Sequence, residues 1–134
     1  MLIDTVKKYR NKELYDLSCS ETIMYACNAE YNLNVDITTL RTMAPFSGGM
    51  FIGDLCGCLS ASLAVLGIMF TNTVAHDSDK LKTLSLEMIS RFQNRFETRI
   101  CDTLKEKYRT DNEGCNFIIY ETAYILDEII KNVA

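Results

Sequence analysis

The sequence predicts a single all-α domain over residues 1–134, a compact bundle of about five to seven helices around a buried central helix at about 54–70. Three observations carry this. Apolar residues recur at helical spacing in most segments, and period-2 alternation with β-branched residues is sustained nowhere. Breakers are few: one proline, Pro45, and six glycines, three of them in "GGMFIG". A composition of 48% hydrophobic and 24% charged residues gives a 134-residue chain the material for one core, not that of a disordered segment.

Taken in order, Asp4 to Leu14 reads as a short polar helix. "SCSETIMYACNAEY" opens with Ser18 as N-cap, and Glu21 three residues later completes a capping box. "VDITTLRTM" makes a further short helix, opened by Asp36 and stopped before Pro45. After the glycine-rich turn, Asp54 caps the central helix, which runs to about Phe70. "DSDKLKTLSLEMISRFQNRFETR" is the most polar helix, with Leu81, Leu84, Met88, Ile89, Phe92 and Phe96 as its apolar stripe. A short helical turn, "CDTLKEKY", follows; "DNEG" breaks the chain, and "CNFIIYETAYILDEIIKNVA" closes it as a helix. The apolar face of that last helix fits either the core or a homodimer.

Leu55 to Ala75 is an uncharged run of 21 residues, long enough on its face to cross a bilayer. Its tail, "TNTVA", is polar, and only Leu55 to Phe70 reads as helix, short of the ~20 residues a span needs. Gly57, Ala61 and Ala64 put small residues near one face, where neighbouring helices approach closely. The run is expected to be a core helix, with no membrane association. Net charge is −4 and no basic run exceeds "KK", so neither nucleic acid nor an acidic lipid surface is an expected partner. The N-terminal stretch carries an acid at position 4 and no apolar segment of signal-peptide length. A cytoplasmic, reducing location is therefore expected, where six cysteines point to metal binding or redox chemistry more than to stapling.

The cysteines form two groups. Cys19, Cys56, Cys101 and Cys115 each fall at or within the first turn of an expected helix. Unpaired N–H groups and the partial positive charge of a helix N-terminus favour the thiolate, the form that attacks disulfides and binds metals. Cys27 and Cys58 lie deeper. At about 100° per residue, Cys58 points roughly 200° away from Cys56, so the two share no helix face and "CGC" is not expected to form a disulfide.

These residues resemble the family of redox-active proteins labelled C_GCAxxG_C_C, defined by four cysteines and a central C-G-A-x-x-G motif. Cys19 in "SCSETI" matches the first family cysteine, and "PFSGGM" matches its glycine-rich stretch. "CGCLSA" matches the central motif and carries over Cys56 and Gly57; "RFQNRFETRICDTL" carries over Cys101, and Cys115 opens the terminal helix. Cys58 stands where the motif has Ala, and Ala61 where it has the second Gly. Cys27 and Cys58 take no role from the resemblance. The resemblance implies redox activity without a defined substrate. A related cysteine-rich region in the split-Soret cytochromes holds an iron–sulfur cluster on four cysteines. The chain has no C-x-x-C-H for haem attachment, so no haem is expected.

If the four converge, their thiolates need a cation beside them, and Cys₄ ligation suits an iron–sulfur cluster or a zinc ion. Spacings of 37, 45 and 14 residues lack the Cys-x-x-Cys pairs of most zinc modules and favour a cluster. The backbone of Ser47, Gly48 and Gly49, with that of Gly57 at the helix start, would donate N–H groups to its sulfurs; for the glycine pair, a plain turn after Pro45 is the alternative. Two other readings stay open. One is a metal-free dithiol protein, with Cys101 and Cys115 pairing and Cys19 or Cys56 attacking. The other is a helical interaction module with buried cysteines. The redox partner is unknown, and no enzyme activity is claimed. The single histidine, His76, is expected to be exposed or capping. Glu21, Asp54, Asp102 and Glu113 are expected as caps and first-turn acids, and Tyr120 and Tyr124 as one stripe of the last helix.

Overall fold

A helix that is apolar nearly all round has no face to offer water and must lie in the middle of a bundle. The segment Gly57–Phe70 is such a helix, with Gly57, Cys58, Leu59, Ala61, Ser62, Val65 and Leu66 buried. The computed structural model describes residues 1–133 and folds them as seven α-helices with no strands. They are α1 (Leu2–Tyr9), α2 (Cys19–Tyr31), α3 (Ile37–Arg41), α4 (Gly57–Phe70), α5 (Asp79–Phe96), α6 (Cys101–Tyr108) and α7 (Asn116–Lys131). The central α4 packs against α2, α5 and α7, and α1 closes the far side on α2 and α7. None of the described helices is long and apolar enough to cross a membrane.

Local signals explain most of the boundaries. Ser18 and Glu21 form the reciprocal capping box of α2, and the Asp36 carboxylate accepts from the Thr39 N–H (2.8 Å) to open α3. The stripe of α5 buries Leu84, Met88, Phe92 and Phe96, with Leu81 and Ile89 at its margins. Phe96 meets Tyr108 edge-on at 5.5 Å between ring centres, and Tyr108 stacks on Phe117 at 5.3 Å. This aromatic chain ties α5, α6 and α7 together. The apolar face of α7 (Ile118, Ile119, Ala123, Leu126, Ile129) is core, so a homodimer would need another surface.

Two expected boundaries are corrected. The first helix runs Leu2–Tyr9, not Asp4–Leu14, because Leu2 and Val6 are its buried positions and Arg10 turns back into the bundle. Its guanidinium donates to Asn116 Oδ1 (2.6 Å), the Leu17 carbonyl (2.7 Å) and Thr22 Oγ1 (3.3 Å). Asp54 does not cap the central helix; Cys56 occupies the N-cap position. The backbone at 54–56 is engaged elsewhere, in a short antiparallel bridge of Leu55 with Ile100. The expected C-terminal residue of the last helix, Ala134, lies outside the described residues.

One buried carboxylate fastens three helices. Asp127, on α7, accepts from Tyr31 Oη (2.6 Å), Lys131 Nζ (3.0 Å) and the Leu2 N–H (3.3 Å). Burial pushes its carboxyl up, but the bonds from Tyr31, Lys131 and the Leu2 N–H outweigh that and hold it below the usual range. A depressed carboxyl contributes stability above its unfolded pKa, ~3.9, and loses it as pH falls. Asp127→Ala is expected to lower stability by about 1–3 kcal/mol in urea unfolding at neutral pH. The gap between variant and native protein should narrow below pH ~4; a gap that is absent at neutral pH would contradict this role.

Candidate functional site

Four helix starts meet at one end of the bundle, and each carries a cysteine. Cys19 is the first residue of α2 and Cys101 the first of α6, while Cys56 and Cys115 are the N-caps of α4 and α7. Backbone pairing brings two of these starts together. The Cys56 N–H donates to the Arg99 carbonyl (2.8 Å), and the Cys101 N–H donates to the Asp54 carbonyl (2.5 Å). A second small bridge, between Thr110 and Gly114 (3.1 and 2.7 Å), closes the "TDNEG" loop and delivers Cys115 to the start of α7.

Glycines give the sulfurs room. A Cβ on Gly57 would stand 2.7 Å from the Phe46 carbonyl oxygen and 3.1 Å from Cys19 Sγ, so α4 and α2 approach at a point where a side chain does not fit. Gly49, at φ +64°, lies against Cys101 in the same way: a Cβ there would meet Cys101 Cβ at 2.7 Å. Gly48, Gly49, Met50 and Phe51 all have φ near +60°, a left-handed turn that includes two non-glycine residues. It leaves Phe51 and Ile52 on the surface.

The result is a cavity of about 310 Å³ lined by Cys19, Cys56, Cys101 and Cys115, together with Ser47 and Gly48. A fifth thiol, Cys58, also opens on it. Cys56 and Cys58 were expected to point apart, and that expectation is corrected. Cys56 is extended (φ −56°, ψ 127°), so the helical step of 100° does not begin until after it. The Cys58 thiol lies beside those of both Cys56 and Cys19. The clue in the sequence was that Cys56 stands at a helix boundary, where helical periodicity does not hold. Cys27 is fully buried inside α2, away from this cavity, and burial with the negative charge of Asp127 and Glu30 pushes its thiol up.

The thiols differ in charge. At Cys19 the hydrogen bond from Cys58 is the largest influence; burial opposes it, and the N–H groups of Ser20 and Gly48 and the charge of Arg10 help bring the pKa down to about 6. Cys58 is pushed up because it donates to Cys19 and Cys56 and is buried. Burial lifts Cys101 to about 11 against the pull of Lys105, and also raises Cys115. At neutral pH, therefore, the Cys19 thiolate faces the protonated thiols of Cys58, Cys101 and Cys115. Around them stand Arg10, Lys12, Lys105 and Arg109, against one acid, Glu113. None of these four cations forms an ion pair among the described residues. A chain of net charge −4 thus surrounds this cavity with positive charge.

A family model described as "Putative redox-active protein (C_GCAxxG_C_C)" matches residues 17–129. The chain belongs to this family. No curated protein and no solved structure matches it. Membership makes it a redox-active protein, and the structure makes it all-α. Cys56 caps α4, Gly57 admits the sulfur of Cys19, and Ala61 is fully buried.

The other sequence candidates fall outside the cavity or at its edge. Glu21 is occupied by the capping box, Asp54 holds Cys101 through its carbonyl, and Asp102 lies against Gly53. Glu113 reaches the cavity. His76 is exposed in the 3₁₀ turn Ala75–Asp77. Tyr120 lies beneath Lys7, and Tyr124 donates to Glu128 (3.1 Å); neither lines the cavity. Among the described residues, no three Cys, His, Asp or Glu side chains converge closely enough to grip a single metal ion.

Two outcomes follow from this geometry. In the metal-free protein Cys19 should be the first cysteine alkylated by iodoacetamide, with its rate half-maximal near pH 6 and falling below it. Six cysteines reacting alike, with midpoints near ~8.5, would contradict the assigned thiolate. Gly57→Ala should cost about 1–3 kcal/mol by crowding Phe46 and Cys19. In an open helix start the same change would be neutral or stabilising by up to ~1 kcal/mol, so urea unfolding gives the sign.

Proposed function

We propose that this chain is an electron-transfer protein whose cavity holds an iron–sulfur cluster on Cys19, Cys56, Cys101 and Cys115. The observation that carries the proposal is the opening of four cysteines, from four separate helix starts, on one cavity rimmed by four cations. A donor set of four thiols matches Cys₄ cluster ligation. Spacings of 37, 45 and 14 residues lack the Cys-x-x-Cys pairs of most zinc modules, which supports a cluster over mononuclear zinc. Bound there, a cluster supplies one-electron transfer at a potential set by its surroundings.

The chain's own groups prepare the site for negative charge. Cys19 is already a thiolate at neutral pH, and Cys101 and Cys115 must lose protons when they ligate. Arg10 offsets the charge of Cys19, and Lys105 and Arg109 offset that of Cys115. The N–H groups of Ser20 and Gly48 point at the Cys19 sulfur, in the way second-shell donors orient a ligand. The left-handed turn at Gly48 aims one of those donors.

A metal-free dithiol function is the second reading, favoured by the contact between the Cys19 thiolate and Cys58. That contact selects Cys19 as the attacking thiol and makes Cys58 its nearest partner, in place of the expected Cys101–Cys115 pair. Anaerobic purification with iron, sulfide and zinc analysis separates the two readings. The cluster predicts iron, sulfide and visible absorbance, all lost in Cys56→Ser. Colourless protein that loses two thiols on mild oxidation would contradict it and support the dithiol.

A further inference from the structure

We propose that the left-handed turn at 48–51 and the cationic rim beside it form the docking surface for a second redox protein, one that presents an apolar centre edged by carboxylates. What the partner does there rests on the electron-transfer reading; the surface itself does not. The two most exposed large apolar side chains among the described residues, Phe51 and Ile52, are neighbours here, each 73% exposed. Met50 beside them, and Ile100 across the short bridge to Leu55, are exposed as well. The turn is pressed on the start of α6 from both ends: Gly49 lies against Cys101, and Gly53 against the Asp102 carboxylate. The apolar lip thus stands beside the cavity, which Gly48 and Cys101 line.

A left-handed backbone at Met50 and Phe51 is unfavourable for residues with a Cβ, and the ring it displays at Phe51 is no part of the core. Exposed apolar groups beside a polar rim are the anatomy of a protein interface. The charge gives the partner's sign. Arg10, Lys12, Lys105 and Arg109 line the cavity without ion-pair partners among the described residues, although the chain as a whole carries −4. Such a field attracts an acidic protein surface, speeds its encounter and orients its carboxylates over the cavity mouth. On the electron-transfer reading, one electron then passes from the reduced partner to the oxidised centre, with no bond made or broken. A lipid surface fits less well, because the exposed acids Asp54 and Asp102 stand at the foot of the turn and repel anionic headgroups. A second copy of this chain, paired symmetrically through the lip, would set one cationic rim against the other.

The test takes the full chain as isolated anaerobically and titrates it by calorimetry with two probe proteins, an acidic plant-type ferredoxin and basic cytochrome c. The expected result is saturable binding of the ferredoxin at low salt, weakened about tenfold or more at physiological ionic strength, and no binding of cytochrome c. Phe51→Asn removes the ring while suiting the left-handed backbone, so it should leave the urea midpoint unchanged or raised yet weaken binding about tenfold. Ile52→Ser should weaken it likewise, whereas Leu86→Ser, at an exposed apolar position on α5, should not. Ferredoxin binding that is absent, or unaltered in both lip variants, would overturn the inference. So would a preference for cytochrome c, or Phe51-dependent attachment to phosphatidylserine vesicles or self-association in sedimentation in place of ferredoxin binding. Iron-free chain that binds ferredoxin through Phe51 overturns the cluster reading alone. Iron-loaded chain that does not bind it overturns this inference alone.

Discussion

Two backbone hydrogen bonds, Cys56 N–H to the Arg99 carbonyl and Cys101 N–H to the Asp54 carbonyl, set the geometry on which the cavity depends. They fix the start of the central helix against the start of α6, although more than forty residues of chain separate them. The pairing consumes the extended residues 54–56, which is why α4 begins at Gly57 and why Cys56 becomes its cap. From that point the approach of α2 is dictated by the missing side chain of Gly57. The aromatic chain of Phe96, Tyr108 and Phe117 then holds α6 against α5 and α7 and brings Cys115 to the same end. Packing and backbone pairing thus place the sulfurs before any ligand is considered.

The charge around the cavity follows a consistent logic. Helix N-termini present unpaired N–H groups, and four basic residues without carboxylate partners surround the thiols. A single thiolate leaves this environment with more positive charge than it needs. A group carrying several negative charges on four thiolates balances it, and that is the physical content of the cluster proposal. The neighbouring Cys58 thiol first, then the N–H groups of Ser20 and Gly48 and the charge of Arg10, keep Cys19 ionised while half-buried, where desolvation alone would protonate it.

Much of this was legible in the sequence because the signals are local. The Ser18–Glu21 capping box, the Asp36 cap, the α5 stripe and the bounds of "CDTLKEKY" all depend on residues within a few positions of one another. The helix-start placement of the four cysteines belongs to the same class. What escaped the sequence depends on long-range contacts. Asp54 looks like a cap, but Ile100 and its neighbours claim that stretch. The end of α1 is decided by Arg10 reaching Asn116, and the Asp127 staple joins residues at opposite ends of the chain. Cys58 was misjudged because helical periodicity was extended one residue too far, across an N-cap. The left-handed turn is marked by Gly48 and Gly49 but continues through Met50 and Phe51, where nothing in the residue types announces it.

The central claim is that four cysteines from four helix starts hold one polynuclear iron centre. Iron K-edge X-ray absorption on the anaerobically isolated full chain tests it most directly. The account predicts a first shell of sulfur alone and a second shell of iron scattering from iron. Iron with oxygen or nitrogen neighbours and no iron–iron shell, or a protein that binds no iron, would contradict it.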